Sequence, residues 1–306
     1  MEKRLFILVI LISLNTSFVR GQQDSQFTNY MYNTMSFNPA YTGTRDALSV
    51  LALYRNQWMG IDGAPETINF SAQAPVGKKV GLGINVISDK IFVVNESVID
   101  LMFSYKVDVS YRAKLSLGIK GGLNIFNVDF TQANTGPKDP NDLNLSITNE
   151  ISPQVGVGAY YYTDTFYTGL SVPNIIETNH FNDSERNIKT ERLHLYYIIG
   201  KVFELNSNLK FKPSGLLKIV SGSPIQVDVS TNFMVYDKLT LGLAYRWDAA
   251  LSALAAFQVS DRWLIGYAYD WETTKLSNYN SGSHEFFLRF ELINKSKSRL
   301  VTPRFF

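Results

Sequence analysis

The sequence predicts an all-β protein, an antiparallel β-barrel of about 14 strands of the outer-membrane type. Three observations predict it: apolar residues alternate with period two from about residue 48 to 292, the runs are long, and the connections are alternately short and long. Most runs last roughly 8–12 residues, which suits a tilted strand crossing a bilayer, whereas soluble strands average about 5–6. No segment after the first twenty residues reaches the apolar length of a membrane helix.

Residues 1–21 stand apart from this pattern. Lys3 and Arg4 precede the apolar run 5–12, and Val19-Arg20-Gly21 leads up to Gln22, which reads as a secretory signal peptide removed before Gln22. The apolar run is too short for a membrane anchor. Removal takes away three cationic side chains and one anionic, leaving 26 of each in a near-neutral exported chain.

The runs follow in order. The first, 48–57, precedes 67–74 and 79–87, which are joined by the short link 75–78. In 97–107, Ile99, Leu101, Phe103, Tyr105 and Val107 alternate with Asp100, Met102, Ser104 and Lys106, giving one apolar and one polar face. In 114–128, Leu115, Leu117 and Ile119 oppose Ser116, Gly118 and Lys120. Runs 154–162, 166–172, 192–203 and 209–219 continue the series. In 225–236, Val227, Val229 and Phe233 alternate with Asp228, Ser230 and Asn232, and in 239–247 Leu241 and Leu243 oppose Gly242 and Ala244. Runs 250–259, 263–271 and 284–292 complete the set.

Links 75–78, 108–113, 163–165, 204–208, 237–238 and 260–262 are short, and the alternate set includes the long polar segments 129–153, 173–191 and 272–283. That asymmetry puts the short turns in the periplasm, and an even strand count then puts both chain ends there. Closure is required because lipid offers no hydrogen-bond partner to a free strand edge. Trp58, Tyr105, Tyr111, Tyr160, Tyr161, Tyr162, Trp247, Trp263, Tyr269 and Trp271 are expected in interfacial girdles. Lys120, Lys210, Lys212, Lys218, Asp100, Asp228, Arg246 and Asp270 are expected to face the lumen and to pair there. The resulting division is 1–21 signal peptide, 22–46 N-terminal periplasmic or plug segment, 47–293 barrel, and 294–306 C-terminal periplasmic tail.

Composition narrows the chemistry. The chain of 306 residues has 29 Lys+Arg against 27 Asp+Glu, so it lacks the basic excess that tracks a phosphate backbone. It has no cysteine, which excludes disulfides, thiolate metal sites and cysteine nucleophiles, and it has three histidines, His180, His194 and His284. No nucleophile-elbow, zinc-protease, P-loop or dinucleotide motif occurs, and no cofactor is expected. His284 and Glu285 are strand neighbours and point to opposite faces, so they cannot cooperate as an acid/base pair. A barrel enzyme could still assemble Ser, His and Asp from separate strands, an alternative kept open if His194 and His284 both face inward. Asp139-Pro140-Asn141-Asp142 clusters oxygen ligands that suit calcium, but its spacing matches no defined calcium loop and reads first as a solvated loop.

One segment does not alternate: Gln26-Phe27-Thr28-Asn29-Tyr30-Met31-Tyr32-Asn33, then Phe37-Asn38-Pro39-Ala40-Tyr41-Thr42-Gly43. Its aromatic content suggests that it orders against the periplasmic mouth or the lumen wall, with Asn38-Pro39 fixing a turn. Together with Arg55-x-Gln57-Trp58, Gly63-Ala64-Pro65-x-Thr67, Gly282-Ser283-His284-Glu285 and the closing Thr302-Pro303-Arg304-Phe305-Phe306, it resembles the PorP/SprF family of type IX secretion membrane proteins. The resemblance runs over the whole mature chain. It implies a non-enzymatic outer-membrane component of machinery that exports and surface-displays large proteins, gliding adhesins among them, in Bacteroidota-type bacteria. It further implies an adaptor that receives cargo C-terminal domains and contacts periplasmic ring or peptidoglycan-linked lipoproteins. Periodicity gives the barrel; only the motifs give the secretion role.

Candidate partner-binding residues are Asn38, Pro39, Tyr41 and Gly43 of the N-terminal motif, with Arg55, Gln57 and Trp58 where the first strand reaches the outer rim. A planar guanidinium and an indole there suit protein recognition, the alternative being that both elements only brace the barrel. Two function classes stay open: a secretion adaptor, and an outer-membrane channel or hydrophobic-solute transporter, since fourteen strands enclose a lumen.

Overall fold

The computed structural model describes residues 26–129, 148–176, 179–180, 189–190, 193–221 and 223–292. The expected signal peptide, the Asp139–Asp142 cluster and the C-terminal tail lie outside the described residues.

Fourteen strands form the wall: β1 (Leu48–Asn56), β2 (Glu66–Val76), β3 (Val80–Ile91), β4 (Val94–Asp108), β5 (Lys114–Val128), β6 (Thr148–Tyr162), β7 (Phe166–Val172), β8 (His194–Lys201), β9 (Leu209–Val220), β10 (Gln226–Val235), β11 (Leu239–Arg246), β12 (Ala250–Gln258), β13 (Trp263–Glu272) and β14 (Ser283–Leu292). Each pairs antiparallel with its sequence neighbour, and β1 pairs with β14 from Leu48↔Leu292 to Asn56↔His284, so the ring closes and no wall strand keeps a free edge along its full length. After Val202 the chain resumes as Phe203–Asn206 against β9, and a two-residue ladder, Asn179–His180 with Lys189–Thr190, lies outside the ring.

Alternation sorts the two faces as the sequence predicts. Leu101 (64% exposed), Leu117 (48%) and Leu243 (59%) point outward, whereas Ser104 (0%) and Ala244 (8%) point inward. The outward apolar belt is the surface that lipid covers. Asp100, Lys120, Lys212, Lys218, Asp228, Arg246 and Asp270 are all buried inside. Lys210 differs: it sits beside the turn at the end of β10 and pairs with the exposed Asp237. Of the expected girdle residues, Trp247, Trp263 and Trp271 are exposed outside, but Tyr160 and Tyr162 are buried within the lumen. In a Tyr-Tyr-Tyr run on one strand only the middle residue shares the outer parity.

Several strands outrun their apolar runs. The polar stretch 88–96 is no loop, because β3 and β4 stay paired up to Ile91↔Val94 and turn tightly at Phe92-Val93. Ser88, Asp89, Asn95 and Glu96 are polar because this hairpin rises past the apolar belt, where pairing persists and alternation is no longer selected. Likewise β6 begins at Thr148 and contains Pro153, opposite Leu123 of β5. Its pairing with β7 starts only at Val157↔Val172, so Pro153 lies where β6 has no β7 neighbour and its missing N–H disturbs no second ladder.

Candidate functional site

Residues 26–44 thread the lumen. From Gln26, whose amide donates to Gln226 (2.6 Å) at the long-loop end of β10, the chain descends past Asp270, Ser230 and Ala159 to Gly43, beside Gly81 at the short-turn end. Gln26 and Ser36 are half-buried, and every residue from Phe27 to Thr44 apart from Ser36 is buried. An even strand count fixes where strands end, but a segment that runs through the lumen arrives at the opposite mouth, so the first described residue, Gln26, lies on the long-loop side.

At its upper end the thread is held by a buried charge cluster. The Arg55 guanidinium donates to Asp270 (Nη2–Oδ2 2.7 Å), to Glu285 (Nη1–Oε2 3.0 Å) and to the Thr28 hydroxyl (3.0 Å). Two carboxylates against one guanidinium leave an excess negative charge, which the thread answers with N–H donors. Glu285 accepts from the backbone of Thr28 (2.9 Å) and Asn29 (2.8 Å) and from the Asn29 amide (2.8 Å), while the Thr28 hydroxyl donates to Asp270 (2.7 Å). Charge-assisted bonds of this kind are strong, and desolvation makes losing any one partner costly.

The lower end rests on a cradle of small residues. Pro39–Tyr41 forms a short 3-10 turn, and Asn38, extended as a residue before proline must be, accepts from Ala40 N (3.0 Å) and donates to Ala159 O (3.2 Å). A Cβ at Gly118 would come within 2.3 Å of Ala40 N, and one at Gly158 within 2.2 Å of Asn38 Oδ1. The lumen-facing glycines of β5 and β6 are thus the space the thread occupies. Gly43 has φ +72°, which a side chain rarely adopts, and its N–H donates to Gln73 (2.7 Å). Tyr41 packs edge-on to Tyr160 (5.4 Å), Phe37 stacks on Tyr196 (5.4 Å), and Tyr32 meets Phe287 (4.7 Å). Arg45 closes the segment with an ion pair to Glu291.

Asn38, Pro39, Tyr41 and Gly43 are therefore brought together, enclosed by the wall. Arg55 is not at the accessible rim: it is 2% exposed, because its odd position on β1 shares the inward parity of Leu51 and Leu53. Gln57 and Trp58 do lie at the long-loop rim. Gln57 N donates to Pro65 O (2.9 Å); Trp58 donates from its backbone to Ser283 Oγ (3.1 Å) and from its indole to Glu272 (3.3 Å), lashing the 57–65 loop to the β13–β14 loop. Nothing local in the sequence marks Asp270, Glu285 and Thr28 as partners of Arg55: Asp270 and Glu285 carry only inward parity, which does not say which strands meet, and Thr28 lies in the segment that does not alternate.

Beside the upper part of the thread, toward the long-loop mouth, lies a cavity of about 130 Å³ lined by Gln26, Phe37, Asp100, Lys120, His194 and Arg246 among others. Lys120 pairs with Asp100 (2.6 Å) and Arg246 with Asp228 (2.7 Å). His194 is inside, but His284 is on the outer face with its ring against the Tyr267 hydroxyl (2.8 Å), so the two imidazoles stand on opposite sides of the wall and cannot act together. Glu285, one residue on, points inward.

Solved structures share this architecture at low identity. The Acinetobacter baumannii outer membrane protein Omp33 is similar with a TM-score of 0.50 at 8% identity, over 80% of this chain and 98% of that one. The CymD monoaromatic hydrocarbon channel gives 0.48 at 10% identity over 86% and 93%, and a Pseudomonas aeruginosa FadL homologue 0.47 at 13% over 88% and 94%. Among curated proteins, none matches the sequence. The family profile described as type IX secretion system membrane protein PorP/SprF matches residues 19–290, nearly the whole barrel together with the thread. By that match the chain belongs to the PorP/SprF family of type IX secretion system membrane proteins, as an outer-membrane β-barrel.

Proposed function

We propose that the protein is a non-enzymatic adaptor of the type IX secretion system, receiving the C-terminal domain of a secreted cargo, such as a gliding adhesin of a Bacteroidota-type bacterium, and contacting periplasmic ring or peptidoglycan-linked lipoproteins. The observation that carries this reading is the occupied lumen: residues 26–44 run through the barrel from the long-loop mouth to the short-turn mouth, with Thr28 and Asn29 hydrogen-bonded to the buried Arg55–Asp270–Glu285 cluster and the next residue after the segment, Arg45, paired with Glu291. A barrel whose interior is given over to its own chain has its loops and turns left as working surfaces. The long-loop face is the exterior in this reading, with Trp58 and Gln57 on its rim, and the carboxyl end leaves β14 on the periplasmic side.

Affinity purification from the native outer membrane, followed by identification of what accompanies the protein, tests the reading. A cargo C-terminal domain and a cell-wall-linked lipoprotein are expected. Their absence, combined with steady ion conductance of the purified full chain in planar bilayers, would favour a channel or hydrophobic-solute transporter.

A further inference from the structure

We infer that the amino-terminal end of the mature chain opens at the long-loop face, so that it stands on the cell exterior while the strand ends stand in the periplasm. The inference rests on the assignment of the long-loop face as the exterior and on the expected cleavage before Gln22, and is argued from three points. First, Gln26 is bonded to Gln226, the first residue of β10 at its long-loop end, and Thr28 to Asp270 and Glu285, near the long-loop ends of β13 and β14. Second, the route from there to the periplasm is occupied by the thread itself, buried from Phe27 to Tyr32 and anchored to Arg55. Third, the chain ahead of Gln26 is too short to return. With cleavage before Gln22, residues 22–25 span at most about 14 Å when extended. The ten residues of β10 rise about 33 Å along the strand, or about 25 Å in height at the usual barrel tilt.

Arg55 on β1 and Glu285 on β14 are register partners across the seam that closes the ring, and both bind the thread near the long-loop mouth. The chain ahead of Gln26 therefore leaves the barrel at the long-loop mouth.

The native chain has no cysteine, which makes single-cysteine labelling clean. Gln23→Cys is compared with Tyr279→Cys in the β13–β14 loop and Lys78→Cys in the β2–β3 turn, using a membrane-impermeant maleimide on intact cells and then on permeabilised ones. Q23C is expected to label as fully as Y279C, with K78C labelled only after permeabilisation. Q23C protected together with K78C would overturn the inference. Exchange of Y279C and K78C with Q23C following Y279C would overturn the exterior placement because the proposed topology had failed, a result distinguishable from a failure of the thread, in which Q23C parts from Y279C. An epitope inserted between Gln22 and Gln23 gives a second readout: antibody binding to intact cells is expected, and binding only after permeabilisation would overturn the inference.

Discussion

Arg55 and Glu285 sit directly opposite each other on the first and last strands of the barrel, and their side chains meet at 3.0 Å inside the lumen. The contact closes the ring and seizes the N-terminal segment in one step, since Glu285 also accepts three hydrogen bonds from Thr28 and Asn29. Motif and architecture coincide here: Arg-x-Gln-Trp supplies the guanidinium inside and the rim indole outside, on either side of the point where β1 ends.

Replacing Arg55 with Ala leaves Asp270 and Glu285 buried without their cation, and we expect a loss of about 3–5 kcal/mol in barrel stability. The measurement is a urea refolding titration followed by heat-modifiable mobility. Combining R55A with Asp270→Asn and Glu285→Gln removes the orphaned charges and should recover part of that loss. Equal stability of R55A and the native protein would mean that the cluster holds neither seam nor thread.

On the wall, Leu101→Arg, Leu117→Arg and Leu243→Arg each place a charge in the lipid belt and should cost about 2–4 kcal/mol near the midplane. An inward substitution is tolerated only where the lumen has room. Ser104 has none, because its hydroxyl donates to Thr42 O at 2.6 Å, so Ser104→Arg should also destabilise, by displacing the thread. The same titration on a chain lacking residues 23–44, which removes Thr42, separates the two effects: the penalty at Leu101 persists, and that at Ser104 shrinks. Unchanged penalties at both would place Leu101 and Ser104 in one kind of environment.

Period two was enough to orient β4 and β11, where a charged or small face opposes a leucine face. It was least informative on β1, where Leu51 and Leu53 are buried inside at 4% and 2% exposure while Val50 and Ala52 face outward. Both faces are apolar there because the inner one packs against the thread rather than against water. That masked parity is why Arg55 read as a rim residue. The glycines at 118 and 158 were visible as gaps in the alternation, but that they admit Ala40 and Asn38 is a long-range fact no local pattern carries. Tyr160 and Tyr162 read as girdle residues for a similar reason, since an aromatic that faces lipid and one that faces Tyr41 look alike in a strand.

Limited proteolysis of intact cells should cut first within 129–147, 173–191 or 273–282, the long connections on the side proposed as the exterior. The turns at Asp237-Lys238 and 260–262 are tight, with Lys238 N bonded to Val235 O (3.1 Å) and Trp263 N to Ser260 O (3.3 Å), and in the proposed topology they face the periplasm. Early cleavage at either turn in intact cells would invert the topology.

The thread itself offers the most direct link from structure to secretion. Deleting residues 23–37 removes the partners of Arg55, Glu285 and Asp270 and the aromatic packing of Tyr32 and Phe37, while every wall strand from β1 to β14 keeps its ladder neighbours. The barrel is therefore expected to insert and remain heat-modifiable, with reduced stability. Its lumen, freed of the thread's upper two-thirds, should conduct ions in a planar bilayer where the full chain does not. Display of the cognate cargo at the surface should be lost, because the working faces of an adaptor depend on a wall braced from within. Gly118→Ala is the milder form of the same experiment: its Cβ would sit 2.3 Å from Ala40 N, so it should loosen the thread with no deletion, and should be nearly silent once residues 26–44 are absent. If the deletion inserts, conducts nothing and still delivers cargo at the native level, the thread is neither plug nor brace, and the adaptor function must reside in the loops alone.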